Sequence, residues 1–148
     1  MTAALAIPQA VLAGEHKGEK QTCTAKSCPA PKASAKKTVK EVDTKEVKAL
    51  IEKEASLLIF DARGGKYDDG KRIAHAKALP ADASKEAILK AAGEDKSVKI
   101  LTYCSNLQCP ASRMLANRLK KLGYNNLYKY PAGIEGWQEA GHKVRETK

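Results

Sequence analysis

The stretch VKILTYCSNLQCP, residues 98–110, joins a predicted strand to a predicted helix through a loop that holds two cysteines. Residues 98–103 are mostly apolar, as expected of a strand buried within a parallel sheet. Pro110 suits the first turn of the following helix, where a backbone N–H has no intrahelical partner. The loop must turn sharply at the carboxyl end of the strand, where open α/β folds bind their ligands. Cys104, the first loop residue, is therefore the candidate reactive group.

The position of Cys104 predicts an activated thiol. Unpaired amides of the loop and of the first helical turn are expected to point toward its sulfur, together with the positive end of the helix dipole. Such surroundings favour the thiolate and lower the pKa of a cysteine. Residues 96–134 contain seven basic residues and no Asp or Glu, so this part of the chain is expected to attract anions. We predict that Cys104 is a nucleophile that acts on an anionic substrate.

Strand and helix signals alternate on both sides of this stretch. A helix is predicted from Asp43 or Thr44 to residue 54, and a buried strand is predicted at 57–60. The alternation predicts an α/β fold in which helices cover both faces of a parallel sheet. The other predicted elements are an extended piece at 78–80, helices at 84–92, 110–122 and 133–140, and a strand at 127–130.

The N-terminal quarter of the chain differs in composition from the rest. Residues 1–13, MTAALAIPQAVLA, are apolar and end in small residues, which predicts the remnant of a signal peptide and a periplasmic or secreted protein. Residues 14–37 are rich in Lys, Ala and Pro, and we interpret them as a disordered linker. Cys23 and Cys28 lie in this linker and could form a local disulfide in an oxidising compartment. The folded domain is predicted to span residues 38–148.

Composition limits the classes of partner. The chain has 148 residues and a net charge of +10, which suits a single soluble domain. It contains one Trp, one Phe and no recognisable nucleic-acid docking motif, so nucleic acid is not an expected partner. No stretch has the length and apolar character of a membrane span, and we expect a monomer. Four residues separate the cysteines of each pair, a wider spacing than common zinc sites use, so no metal site is predicted.

Four segments in the same order resemble the rhodanese family. Residues 58–63, LIFDAR, are similar to the family's strand that ends in Asp-Val-Arg, and residues 72–80, RIAHAKALP, resemble its Gly-His-Ile-Pro-Gly-Ala segment. Residues 98–104 are similar to the strand that leads into the catalytic cysteine. Residues 130–134, YPAGI, with Trp137, are similar to the closing Gly-Gly-Ile and Trp. The resemblance extends over about residues 40–144.

The resemblance implies a five-stranded parallel sheet flanked by helices and an enzyme that transfers sulfane sulfur. Cys104 would attack an anionic donor such as thiosulfate, carry a persulfide, and pass the sulfur to cyanide or to a thiol. No cofactor is implied. The residues implied as substrate-binding are Ser105, Asn106, Leu107, Gln108, Ser112 and Arg113, and those implied as structural support are Asp61 and Arg63.

This sequence departs from the family pattern in its loop. The loop is about two residues longer, so that Ser112 takes the position of the family's Ser and Ala111 stands where the loop Arg would be. Arg113, two residues further along, is the nearest basic side chain. Arg72 and His75 also replace the His and the second Gly of the Gly-His-Ile-Pro-Gly-Ala segment.

Two other functions remain open at this point. Cys109 lies close enough in the loop to act as a resolving thiol for Cys104, which would make the chain a thiol-disulfide redox protein. Alternatively, the chain is a catalytically inactive rhodanese fold that acts as a binding module.

Overall fold

The computed structural model describes residues 38–147. Within this range the structure has seven strands and four α-helices. The strands are β1 (Val39–Glu41), β2 (Leu58–Asp61), β3 (Lys71–Ile73), β4 (Lys77–Ala78), β5 (Lys99–Tyr103), β6 (Asn126–Tyr130) and β7 (Val144–Glu146). The helices are α1 (Thr44–Lys53), α2 (Lys85–Ala92), α3 (Ala111–Lys121) and α4 (Gly133–Glu139).

Five of the strands in the described range form one parallel sheet in the order β1-β6-β5-β2-β4. β5 lies at the centre, and Tyr103 at its carboxyl end is in register with Asp61 of β2 and Tyr130 of β6. The three strands therefore end side by side. The predicted α/β fold with a parallel sheet and flanking helices is confirmed.

The helix starts follow from local capping. Asp43 accepts a hydrogen bond from the backbone N–H of Glu46 at 2.8 Å, and the Glu46 carboxylate accepts the Asp43 N–H at 3.1 Å. This reciprocal capping box stabilises the first turn of α1. Ser84 caps α2 in a similar way, with its Oγ accepting the Ala87 N–H at 3.1 Å. Both helices begin where the sequence predicted.

Alternation along the strands divides the core into two layers, one on each face of the sheet. Ile59 and Leu101 face one layer, with Trp137 of α4. Phe60 and Ile100 face the other layer. This second layer also contains Ile88 of α2, Leu115 and Leu119 of α3, and the sulfur of Cys104. Cys104 is thus fixed by the packing of α3 against the sheet.

Three strands have no counterpart in the prediction. β1 is three residues long and contains two charged residues, so it shows no apolar run or alternation. β3 and β7 pair in antiparallel fashion across more than seventy residues of chain, and such pairing cannot be inferred from local composition. The predicted signal-peptide remnant (1–13) and linker (14–37), with Cys23 and Cys28, lie outside the described residues. No helix among residues 38–147 is long and apolar enough to cross a membrane.

Candidate active site

Cys104 directly follows β5, and six residues separate it from the start of α3. Its side chain is completely buried, whereas that of Cys109 is partly exposed, and both carry free thiols. Cys104 thus lies in the second core layer, at the carboxyl end of the sheet. The loop turns back on itself, so that Cys109 lies beside Cys104.

The Cys104 sulfur has polar neighbours from the loop and from α3. Cys104 Sγ lies 3.2 Å from the carbonyl oxygen of Cys109 and 3.7 Å from that of Asn106. It also lies 3.7 Å from Ser112 Oγ, and the Ser112 backbone N–H donates to it. The first turn of α3 therefore contacts the thiol, as the sequence predicted. Thr102 helps to hold this turn, because its hydroxyl donates to the Ser112 carbonyl at 3.2 Å.

The predicted lowering of the Cys104 pKa is wrong for this conformation of the loop. Burial raises the pKa of the Cys104 thiol, and the hydrogen bond to Cys109 raises it further. The backbone N–H and hydroxyl of Ser112 act in the opposite direction without outweighing burial. Cys104 is therefore held as a thiol while the loop covers it.

Cys109 has the opposite character. Burial opposes its ionisation, but hydrogen bonds from the Cys104 thiol and from the backbone N–H groups of Ala111 and Ser105 outweigh burial and lower the pKa of Cys109. The Cys109 sulfur is thus the one that the backbone N–H groups of the loop stabilise as a thiolate. The sequence had assigned this thiolate-stabilising position to Cys104.

Helix α4 is hydrogen-bonded to the start of the loop through backbone groups. The Ile134 N–H donates to the Cys104 carbonyl at 2.9 Å, and the Glu135 N–H donates to the Ser105 carbonyl at 3.0 Å. Gly133 has a φ of +65°, and a Cβ at this position would overlap the Cys104 and Ser105 carbonyl oxygens. Only glycine fits both the backbone conformation and this close approach.

Asn106 holds the middle of the loop. Its side-chain amide donates to both carboxylate oxygens of Glu135, at 3.1 and 3.0 Å. Its Oδ1 accepts the Gln108 N–H at 3.1 Å, and its carbonyl accepts the Cys109 N–H at 3.2 Å. These bonds give the loop one defined shape and leave the side chains of Leu107 and Gln108 exposed.

Asp61 and Arg63 lie beside the loop within a buried network of charges. Arg63 pairs with Asp61 at 2.8 Å and with Asp69 at 2.8 Å. Arg72 lies 3.3 Å from Asp61, and the Tyr103 hydroxyl donates to the same carboxylate at 3.1 Å. Both guanidinium groups are thus engaged by protein carboxylates. The network ties the ends of β2 and β5 to the segment that leads into β3.

Two of the cavities beside the loop are lined by Cys109. The larger has a volume of about 630 Å³ and is lined by Ser105, Asn106, Gln108 and Cys109 of the loop, with Ala62, Tyr67, Met114 and Glu135 among the surrounding residues. The smaller, of about 120 Å³, is lined by Leu107, Gln108, Cys109, Ser112, Arg113 and Lys129 among others. Cys109 lines both cavities, and Cys104 lines neither. Arg113 is exposed on α3 and contributes its charge to the smaller cavity.

Exposed apolar side chains line these cavities, Tyr67 and Met114 the larger and Leu107 the smaller, and we call the three residues the apolar rim. Tyr67, Leu107 and Met114 are the large hydrophobic residues that are exposed in residues 38–147, at 64%, 76% and 51%. Exposed apolar side chains that gather at one place often mark an interaction site. The sequence did not predict this rim, because the three residues come from separate segments. Lys129 was predicted only as part of the basic stretch 96–134 and not as a residue of the site, and the role of Gly133 was missed, although Gly133 lies in the YPAGI segment.

Together, the parallel sheet and the cysteine loop between its central strand and a helix define an α/β protein with a candidate cysteine active site. Residues 43–140 match the family model of the rhodanese-like domain. The chain belongs to this family.

Solved structures share the fold. A Bacillus halodurans protein is 24% identical with a TM-score of 0.64, and the match covers 73% of this chain and 77% of that one. The rhodanese-like domain of an Anabaena protein is 20% identical with a TM-score of 0.60, covering 74% and 81%. The thiosulfate sulfurtransferase of Pseudomonas aeruginosa is 19% identical with a TM-score of 0.60, covering 74% of this chain but 21% of that one. None of the curated proteins compared with this chain matches it.

Proposed function

We propose that this chain is a sulfurtransferase that carries sulfane sulfur as a persulfide on Cys104. The observation that carries the proposal is the position of Cys104 at the carboxyl end of β5, with the Ser112 N–H at the head of α3 directed at its sulfur. The Cys104 thiolate would attack the outer sulfur of a donor such as thiosulfate. The S–S bond of the donor breaks, and sulfite leaves with the bonding electron pair.

The surroundings of the loop support an anionic donor. Arg113 and Lys129 line the smaller cavity, next to Gln108, Cys109 and Ser112. We propose that these two cations attract the donor in place of the Arg that the longer loop lacks. The Ser112 backbone N–H, which already donates to the Cys104 sulfur, would stabilise the thiolate that attacks the donor.

The acceptor would be cyanide or a thiol that enters through the larger cavity. The Pseudomonas aeruginosa thiosulfate sulfurtransferase, which shares the fold at low identity, supports this class of reaction. For the donor to reach Cys104, the Cys109 side chain must turn aside, because it lines both cavities while Cys104 is buried. This movement would also remove the thiolate that raises the pKa of Cys104.

The test is steady-state thiocyanate formation from thiosulfate and cyanide. Wild type should turn over, Cys104→Ser should lose activity by at least about a hundredfold, and Cys109→Ser should retain activity because cyanide can still remove sulfur from Cys104. Thermal melts of the three proteins control for folding. Absence of turnover in the wild type, or full activity of Cys104→Ser, would contradict the proposal. The former result would favour a binding module.

A further inference from the structure

We propose that Cys109 resolves the Cys104 persulfide, so that the protein releases hydrosulfide and forms a disulfide between Cys104 and Cys109. This inference rests on the proposed function, because it requires sulfane sulfur on Cys104. It adds a second outcome to sulfur transfer, since the sulfane sulfur leaves in reduced form and no external sulfur acceptor is needed. Its substrate class is an anionic sulfane donor together with a dithiol reductant.

The two cysteines lie next to each other in the folded loop. Cys104 Sγ lies 3.2 Å from the Cys109 carbonyl oxygen, and each cysteine shifts the pKa of the other. Both cysteines belong to one short loop, so a disulfide of about 2.05 Å requires a local approach of the sulfur atoms and no rearrangement of the sheet. Neither thiol is engaged in another covalent bond.

The cavities place Cys109 where a resolving thiol is needed. A sulfane sulfur bound to Cys104 must extend from the buried Sγ toward the cavities, and Cys109 lies on both of them. The Cys109 sulfur is therefore a neighbour of the new S–S bond, closer than any acceptor that must enter from solvent. An intramolecular thiol has a high effective concentration relative to a dissolved one.

Electrostatics favour Cys109 as the attacking group. Backbone N–H groups of Ser105 and Ala111 donate to its sulfur and lower the pKa of Cys109 despite its partial burial. A larger thiolate fraction near neutral pH increases the rate of attack on a sulfur–sulfur bond. Cys104 has the complementary property, because burial and the Cys109 charge keep it protonated until Cys109 moves.

The resolving step balances in atoms and electrons. The Cys109 thiolate attacks Sγ of the protonated Cys104 persulfide and forms the Cys104–Cys109 bond. The bond between Sγ and the sulfane sulfur breaks, and hydrosulfide leaves with its proton and the electron pair. Over the cycle, thiosulfate and two thiols give sulfite, hydrosulfide and a disulfide, with two protons transferred to the products. A dithiol then reduces the disulfide for the next turnover.

The experiment treats reduced, desalted protein with thiosulfate in the absence of cyanide or thiol. All chains carry Cys23→Ser and Cys28→Ser, so that the loop cysteines are the ones that remain. Released sulfide is measured by trapping with a bimane reagent, and the loop peptide is measured by mass spectrometry. With both loop cysteines present, we expect about one sulfide per chain and a loop peptide lighter by roughly 2 Da, the mass of the two hydrogen atoms lost when the disulfide forms.

The variants separate the two proposals. Cys109→Ser should release no sulfide and should keep about 32 Da on Cys104, the mass of a persulfide sulfur. Cys109→Ala introduces no hydroxyl group and should give the same result, which shows that the loss of the thiol is the cause. A stable adduct on Cys104 without sulfide release when both cysteines are present would overturn the inference and leave the proposed function standing. Absence of any adduct on Cys104 in both Cys109 variants would overturn the proposed function itself.

Discussion

Cys104 and Cys109 share one loop but have different surroundings. Cys104 is in the core layer beneath α3. Cys109 lines the cavities, and its sulfur accepts hydrogen bonds from backbone N–H groups of the loop. The sequence was sufficient to locate Cys104 between a strand and a helix. It could not predict which sulfur is the thiolate, because burial and the contact between the two thiols arise only when the loop closes.

The alkylation rates of Cys104 and Cys109 should depend differently on pH. The pKa of Cys109 is lowered and that of Cys104 is raised. The rate of labelling of Cys109 by iodoacetamide should therefore reach half its maximum at a pH below about 8.5, the pKa of a free cysteine, and that of Cys104 at a pH above it. Peptide mass spectrometry after short pulses at different pH values measures both rates. Cys109→Ser should shift Cys104 labelling to lower pH, since it removes the neighbouring negative charge. Labelling of Cys104 before Cys109 would contradict this assignment.

Asp61 is the shared ion-pair partner of the two buried arginines beside the loop. It is fully buried and lies against both Arg63 and Arg72. Asp61→Ala should lower the free energy of unfolding by about 3–5 kcal/mol, because it leaves buried guanidinium charges without their shared partner. Urea denaturation measures this change. Glu52→Ala, which removes an exposed ion pair with Lys48, is the control and should have little effect. A loss equal to that of the control would refute the structural importance of Asp61.

At the scale of elements, the sequence predicted the strands and helices that have a strong local signal. α1 and α2 begin at their capping residues, and β5 coincides with the apolar run before Cys104. β1 and the β3–β7 pair were missed, since each is three residues long and depends on partners distant in the chain. The apolar rim was missed for the same reason, because it forms only when separate segments meet.

The junction between α4 and the cysteine loop gives a test at this scale. Gly133→Ala should reduce sulfur transfer strongly, by roughly a hundredfold for a displacement of about 1 Å at the reacting groups, because its Cβ would push against the Cys104 and Ser105 carbonyl groups. Gly141→Ala is the matched control. Gly141 also has a positive φ, of +77°, but nothing lies within 4 Å of an added Cβ.

Thiocyanate assays on both glycine variants, with thermal melts, measure this difference. Both substitutions introduce backbone strain of about 1–2 kcal/mol, so both variants should have lower melting temperatures than the wild type. The decrease for Gly133→Ala should be at least as large as that for Gly141→Ala. Activity should fall sharply only in Gly133→Ala. Equal activity of the two variants would show that the contact between α4 and the loop does not position the cysteines.

For the molecule as a whole, the apolar rim is expected to determine how a thiol acceptor binds. Met114→Ser should raise the KM for an apolar thiol about fivefold, because about 1 kcal/mol of apolar contact is lost, with little change in kcat. The KM for cyanide should not change, since cyanide is too small to contact the rim. Met114→Leu retains the apolar area and is the control. An unchanged KM in Met114→Ser would argue against a role of the rim in acceptor binding.

The central claim is that sulfane sulfur resides on Cys104, and isotopic labelling tests it most directly. The Cys109→Ser chain is treated with thiosulfate that carries a heavy isotope in its outer sulfur, and its peptides are mapped by mass spectrometry without reductant. We predict that the heavy sulfur is attached to the peptide that contains Cys104 and that reductant removes it. Heavy sulfur found only on Cys23 or Cys28, or on no cysteine, would contradict the account.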